Sequence, residues 1–314
     1  RANQARMIFA EGDDPKVLRA AVMYQRSGLG KALVVGRPDD VKAKLTAAGM
    51  EDAHRELEIV NAANTQYLDT YKSYLYNRLQ RKGSDSKDIH RLAARDRHVF
   101  AALMLAHGHG DGLVTGATRK SAHVLERLNH VFDANAQHGA VGITALLHKG
   151  RIVFIGDTLV HEWPNEEDLA NIAEKGAKVA RHMGLEPRVA FVSFSTFGYP
   201  VSERAEKMQR APDVLDARGV DFEYEGEMTV DVALNAESQK NYPFSRLTGP
   251  ANILVVPARH SASISVKLMQ EMAGATVIGP ILTGLDKSIQ ICSTTSTAND
   301  ILNMAILAAC KVGE

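Results

Sequence analysis

The sequence predicts an α/β fold in two domains, and three observations carry that reading. Short apolar runs suited to buried strands alternate with segments of helical periodicity along the whole chain. The first fifty residues form one strand–helix–strand unit, the building block of parallel sheets. The length, 314 residues, is about twice the roughly 150 residues of an average domain.

The unit opens with Met7-Ile8-Phe9-Ala10 as a strand. Asp14 and Pro15 then offer an N-cap and a first helical residue. Val17, Leu18, Ala21 and Val22 recur at helical spacing, and Gly28 and Gly30 end the helix. Ala32–Val35 is the next strand, broken by Gly36-Arg37-Pro38. Residues 39–82 read as largely helical. A helix through Val99–Ala106 leads into Gly108-His109-Gly110-Asp111 and a buried strand, 112–116. Ala145–Leu147 and Ile152–Ile155 flank Lys149-Gly150 as a hairpin, an antiparallel element in an otherwise parallel pattern. Asn165-Glu166-Glu167-Asp168 caps a strong helix that stops near Gly184. Val189–Val192 is a strand, followed by a loop, 193–200, and a helix from about Ser202 to Gly219. Asn252–Val256 is a strand, Ala262–Met272 a helix, Thr276–Gly279 a short strand, and Thr297–Lys311 the closing helix.

Composition excludes several classes. Lys plus Arg and Asp plus Glu are both 37, so the chain lacks the basic excess of a nucleic-acid binder and any general attraction to an anionic membrane. No apolar run reaches the roughly 18 residues of a membrane span. Two cysteines, Cys292 and Cys310, rule out a disulfide scaffold and fit a reducing cytoplasm. The opening Arg1-Ala2-Asn3-Gln4 has neither Met nor a signal region, which raises the expectation of a chain cut from something longer.

The motifs of common enzyme classes are missing. Gly28-Leu29-Gly30-Lys31-Ala32 lacks the spacing of a phosphate loop, and no Gly-x-Ser-x-Gly elbow occurs. Gly108-His109-Gly110-Asp111-Gly112 precedes a strand, whereas a dinucleotide fingerprint follows one. His107, His109 and Asp111 are spaced to converge on an ion, but a helix-to-strand turn accounts for the same residues and is preferred. The loop Ser193-Phe194-Ser195-Thr196-Phe197-Gly198 lies where open α/β sheets bind ligands. Its hydroxyls and amides suit an anion, and they suit capping of the next helix equally well. Asp300, near a helix N-terminus, is placed for the helix dipole and for general-base work, the first being the simpler account.

A family resemblance joins these pieces. Glu11-Gly12-Asp13, Asp111-Gly112-Leu113-Val114-x-Gly116-Ala117, Glu225-Gly226-Glu227-Met228 with Asp231, Ser245-Arg246-Leu247-Thr248-Gly249-x-Ala251-Asn252 and Gly279-Pro280-Ile281-Leu282-x-Gly284 together resemble phosphate acetyltransferase, in order over essentially the whole chain. The resemblance implies a two-domain phosphate acetyltransferase-like (isocitrate/isopropylmalate dehydrogenase-like) fold with an interdomain cleft. Domain I takes 1–138 plus 286–314, and domain II takes 139–285. It also implies a homo-oligomer, at least a dimer. The family's catalytic Ser falls on Ser293 and its Asp on Asp300, but the phosphate-holding Arg falls on Thr294. A second family arginine falls on Glu126, beside Arg127. Loss of one charge-assisted contact costs roughly 1.5–3 kcal/mol.

These departures resemble the C-terminal phosphotransacetylase-like domain of bacterial NADP-dependent malic enzymes, as do Tyr71 with Arg78, Arg81-Lys82-Gly83 and the loop from Ser193 to Gly198. By that resemblance, malate, NADP and a divalent metal belong to a separate N-terminal malic enzyme domain. This chain would hold no cofactor or metal of its own and would bind acetyl-CoA as an effector. The expected acetyl-CoA contacts are Ser193, Ser195, Gly198, Ser293 and Asp300, with Arg246, Arg259 and Lys287 for its phosphates. In Pro257-Ala258-Arg259-His260-Ser261-Ala262-Ser263 the chain departs from the family. The alternatives are an active transferase using Arg119 or Arg127, and a structural oligomerisation module.

Overall fold

In a computed structural model, which describes residues 5–133 and 139–312, the alternation of strands and helices resolves into two compact units. The opening residues Arg1–Gln4 lie outside the described residues.

The first unit combines 5–133 with 285–312. Its elements are β1 (Ala5–Phe9), α1 (Pro15–Arg26), β2 (Gly30–Val35), α2 (Pro38–Ala47), α3 (Ala53–Glu56), β3 (Glu58–Val60), α4 (Leu68–Leu79), α5 (Ser86–Arg95), α6 (Arg97–Ala106), β4 (Gly112–Thr115) and α7 (Ser121–Leu128). The second unit, 139–284, follows with β5 (Val141–His148), β6 (Arg151–Gly156), α8 (Glu166–His182), β7 (Arg188–Val192), α9 (Glu203–Arg218), β8 (Glu223–Met228), α10 (Val230–Leu234), α11 (Ala236–Gln239), β9 (Ile253–Val255), α12 (Arg259–Ala273) and β10 (Thr276–Thr283). The chain returns to the first unit with β11 (Ser288–Ile291) and α13 (Ala298–Ala309).

The first sheet is wholly parallel, in the order β11-β4-β1-β2-β3. Strands β1, β2 and β4 are largely buried, which is why they read as apolar runs. Helix α1 starts where expected: Asp14 Oδ1 accepts from the backbone N–H of Lys16 (2.8 Å) and Val17 (3.3 Å), with Pro15 at the first position. Its Val17, Leu18 and Ala21 pack into one core with Met7, Phe9 and Val34. Ile301, Met304, Ala305 and Ala308 of α13 complete that core. Each fully buried large apolar side chain contributes about 1.5–3 kcal/mol, so this last helix is an integral part of the unit.

The second sheet is mixed, in the order β10-β5-β6-β9-β7-β8. Strand β5 runs antiparallel to β6 and to β10, and the other pairs are parallel. The β5–β6 hairpin turns on Lys149 and Gly150, both at positive φ (47° and 74°), as a right-twisted two-residue hairpin requires. Helix α8 opens with a reciprocal capping box between Asn165 and Asp168.

Four elements differ from expectation. Strand β3 lies inside the stretch read as helical, because three residues are too short to show a period. Strand β10 runs on through Pro280 to Thr283, with a break in register between Ile278 and Ile281. It is an edge strand, where a missing N–H is tolerated. Strand β8, also at an edge, carries three glutamates that masked it. Strand β11 was hidden by Ser288 and Gln290, both buried. The histidine-rich segment is a turn: His107 Nδ1 bonds to the carbonyl of Leu103 (2.8 Å), and Asp111 Oδ2 accepts from Arg6 N (2.7 Å). Among the described residues, no three His, Cys, Asp or Glu side chains are placed to hold a metal ion, and no helix is long and apolar enough to cross a membrane.

Candidate functional site

In the first unit, the carboxyl ends of β1, β4 and β11 converge on one buried carboxylate. Glu11 accepts from Gly116 N (3.1 and 3.0 Å), Thr118 N (3.1 Å) and Thr118 Oγ1 (3.1 Å). Burial pushes its carboxyl up, against those hydrogen bonds and the positive field of Arg97. The loop it grips is tightly placed. Gly116 has φ +101°, and a Cβ there would stand 2.7 Å from the Cys292 carbonyl oxygen. Beneath the loop, buried His98 bonds through Nδ1 to Thr115 Oγ1 at 2.7 Å. Burial pushes its pKa down to about 4, so the ring is neutral at pH 7.

The segment after β11 carries the two family positions, Ser293 and Asp300. Both are half-buried, and both are engaged locally. Ser293 Oγ lies 2.9 Å from Thr295 Oγ1 and accepts from Thr295 N at 3.2 Å. Asp300 Oδ2 accepts from Thr297 N and Thr297 Oγ1, each at 2.8 Å. It is the third helical residue of a capping box whose other half is Thr297. Thr294, standing at the family's arginine, is exposed and uncharged. Its carbonyl accepts from Lys16 Nζ at 3.1 Å. The preceding Cys292 is buried, and burial, reinforced by Glu11 and Asp300, pushes its thiol far up. A thiol so held is a packing group rather than a nucleophile.

At the second family arginine position, the neighbouring cation Arg127 is already paired. Arg127 faces Asp96 at 3.3 Å, and Glu126 faces His123 at 3.9 Å. Arg119 and Lys287 are exposed. Lys287 makes no ion pair among the described residues.

In the second unit, the loop after β7 packs on the end of β8. Ser193 N donates to Met228 O (2.9 Å) and Phe197 N to Glu227 O (2.8 Å). The buried Glu227 carboxylate accepts from Gly198 N (3.0 Å) and Gln209 Nε2 (3.4 Å). A carboxylate of the protein therefore sits on the amide of Gly198. Thr196 Oγ1 accepts from Thr229 N at 3.1 Å. Ser195 is fully buried, and its Oγ has no partner. An unpaired buried hydroxyl is unusual enough to mark the spot. Arg246 is held by Asp216 (2.7 Å) and Glu225 (3.5 Å) and lies 4.6 Å over the Tyr224 ring. Arg259 reaches the Leu159 carbonyl (3.3 Å) and Glu162 (3.5 Å).

The structure thus brings Ser293 and Asp300 onto one segment in the first unit. Ser193, Ser195 and Gly198 share one loop in the second. Arg246 and Arg259 are tied into ion pairs of their own. Sequence reasoning missed Lys16, His98 and the anchoring role of Glu227. Only Lys16 had a visible signal, a basic residue one place into the helix after β1.

The parallel sheet of the first unit, the mixed sheet of the second and the Ser–Asp segment after β11 define an α/β protein of the phosphotransacylase type. The fold is similar to that of a phosphotransacetylase from Streptococcus pyogenes, with a TM-score of 0.91 and 26% identity over 98% of this chain and 94% of that one. The chain belongs to the phosphate acetyl/butaryl transferase family, whose pattern matches residues 1–309. It is 45% identical over 313 residues to an NADP-dependent malic enzyme of Rhizobium meliloti, matching 100% of this chain and 41% of that protein. It is 27% identical to a phosphate acetyltransferase of Thermoanaerobacterium thermosaccharolyticum, covering 98% of this chain and 95% of that enzyme. The chain therefore spans about two-fifths of the malic enzymes it matches and corresponds to their phosphotransacetylase-like part.

Proposed function

We propose that this chain is the acetyl-CoA-binding regulatory part of a malic enzyme and does not itself transfer acetyl groups. In such an enzyme, oxidation of malate by NADP with a divalent metal would belong to another domain. Acetyl-CoA would act by favouring one of two states of a homo-oligomer, which requires unequal affinity for the two.

One observation carries the reading. At the position where the family holds phosphate with a guanidinium, this chain has Thr294, an uncharged side chain on an exposed loop. Two further facts support it. Asp300 Oδ2 is bound twice by Thr297, so the expected base is held as a helix cap. Ser293 Oγ is held within its own turn. The fold persists while the groups that would bind acetyl phosphate and take a thiol proton are missing or engaged. A site that keeps the family's Ser and Asp positions but lacks the phosphate anchor suits an effector better than a second substrate.

Calorimetry of the intact chain with acetyl-CoA tests the first half. Saturable binding below about 1 mM is expected, and silence at that concentration removes the reading. An assay with acetyl phosphate and CoA tests the second half. Turnover above about 1 s⁻¹ lies in the ordinary enzyme range and would make the chain a transferase.

That second reading has its own support. Lys16 Nζ lies 3.1 Å from the Thr294 carbonyl, so a cation does stand beside the segment. If it replaces the arginine, Lys16→Ala will abolish turnover.

A further inference from the structure

Glu11 is a buried carboxylate that no ligand role accounts for. It follows β1 by one residue and is 1% exposed. Its side chain does nothing for the helix that comes next, because Asp14 caps α1. A carboxylate taken out of water is costly to a fold unless its oxygens are well hydrogen-bonded. The donors it has found, Gly116 N, Thr118 N and Thr118 Oγ1, all belong to the turn between β4 and α7.

The backbone explains why a side chain is needed there. Strands β1 and β11 flank β4, and all three are parallel. Past their ends the ladder continues for one more bond on each side. Ala10 N donates to Val114 O at 3.1 Å, and Cys292 N donates to Thr115 O at 2.7 Å. The chain then turns away from β4: Gly12 N donates to Val35 O, after β2, at 3.0 Å. Gly116 N therefore meets the side chain of Glu11 where a longer β1 would have offered a carbonyl.

Gly116 is also where this turn meets the segment after β11. A Cβ added to it would stand 2.7 Å from Cys292 O and 3.3 Å from Cys292 N. Backbone rests on backbone at that point, with no flexible side chain between them to absorb a shift. Cys292 leads directly into Ser293 and Thr294. The turn they begin is closed by its own hydroxyls: Ser293 N donates to Ser296 Oγ at 3.1 Å, and Thr295 N to Ser293 Oγ at 3.2 Å. Its place over the sheet is set by what Cys292 rests on.

We propose that Glu11 is a positioning residue. Through the turn 116–118 it fixes the backbone of Cys292, and with it the placement of Ser293 and Thr294. The consequence for acetyl-CoA affinity rests on the proposed effector role; the positioning itself does not.

Amide hydrogen exchange of the intact chain tests this with Glu11→Ala, Glu11→Gln and Leu18→Ala. The amides of Cys292 and Ser293 decide, because neither bonds to Glu11. Glu11→Ala should speed both by about tenfold or more, as loss of a buried hydrogen bond allows, while the amides of β2 hold. Glu11→Gln keeps an oxygen for Gly116 and Thr118 and should bring both rates to within about threefold of wild type. Leu18→Ala empties a fully buried site in the core of the same unit and should speed exchange across the sheet without singling out these two amides. Unchanged rates at Cys292 and Ser293 in Glu11→Ala, a uniform acceleration like that of Leu18→Ala, or no rescue by Glu11→Gln overturns the proposal. If Glu11→Ala does not fold, Thr118→Val, which removes one donor of the same grip, decides: selective acceleration at Cys292 and Ser293 supports the positioning role, and its absence overturns it. Calorimetry with acetyl-CoA is a separate arm, in which Glu11→Ala should bind about tenfold more weakly and Glu11→Gln like wild type. A wild-type chain that binds no acetyl-CoA would remove the effector role and leave the exchange result to decide the positioning role.

Discussion

Acid should weaken the first unit through His98, with His109 and His130, whose pKa values burial also lowers, acting in the same direction. His98 is 4% exposed, its Nδ1 is hydrogen-bonded to Thr115, and burial holds its pKa at about 4 rather than the ordinary 6.5. The unfolded chain takes up this proton near pH 6.5, and the folded chain refuses it until about pH 4. The unfolded state thus binds more protons throughout that window, so stability rises with pH across it and falls on acidification. At about 1.4 kcal/mol per pH unit, the displacement removes on the order of 3 kcal/mol by pH 4 and about 2 kcal/mol by pH 5. That is a large share of the roughly 5–15 kcal/mol that holds a domain together. His98→Asn places an amide where Nδ1 stood, preserves a partner for Thr115 and removes the titration. Hydrogen exchange of β1, β4 and α6 amides, measured from pH 7 to pH 4.5 and corrected for intrinsic exchange, should show wild-type protection falling and the variant's holding. Proton NMR of the His98 ring should show a midpoint near 4. A midpoint at or above 6, or parallel loss of protection in the two proteins, would refute the argument.

Four other outcomes follow from named contacts. His161 bonds to Asp157 through Nδ1 at 2.8 Å, and that bond, with the charges of Asp157 and Asp168, raises its pKa. Its contribution is full below about pH 6.5 and is lost as pH rises through the raised value; urea unfolding of the second unit should therefore show wild type losing more stability than His161→Gln between pH 6 and pH 9. Gly116→Ala introduces a Cβ 2.7 Å from the Cys292 carbonyl at φ +101°, so thermal unfolding should show a loss above about 1 kcal/mol. Ser195→Ala deletes a buried hydroxyl that has no partner, so stability should hold or rise by about 1 kcal/mol, while calorimetry shows weaker acetyl-CoA binding. Asp300→Asn keeps an oxygen for the Thr297 amide, so the melting temperature should fall by under about 1 kcal/mol equivalent, and a drop as large as that of Thr297→Ala would contradict the capping role.

The fold was legible wherever burial or capping leaves a mark on residue type. Strands β1, β2, β4 and β7 are largely buried and read as plain apolar runs, and Asp14-Pro15 and Asn165–Asp168 announce the helices they begin. The misses share a cause. Strands β3 and β11 are short, and β8 is an edge strand whose Glu225 and Glu227 are buried as hydrogen-bond acceptors for Arg246 N and Gly198 N. No pattern of hydropathy marks a glutamate as an interior residue. The site was legible only as positions. Thr294 could be read as an uncharged replacement from the sequence. That Arg246 and Arg259 are held by Asp216, Glu225 and Glu162 depends on contacts 30, 21 and 97 residues apart in the chain, which no local motif encodes.

Asp300 shows why a retained catalytic residue is weak evidence for retained chemistry. Its carboxylate closes the capping box of α13 with Thr297, and α13 supplies four buried side chains to the core of the first unit. Loss of such a cap costs about 1 kcal/mol, enough to keep an acid here in a protein that transfers nothing. Thr294 is under no such constraint. It is exposed, its side chain caps nothing, and only its backbone carbonyl is used, by Lys16. An arginine at that position would be tolerated by the fold, so its absence is not a demand of packing. The pair therefore separates two positions of the segment: Asp300 follows what the helix needs, and Thr294 is dictated by no packing or capping contact.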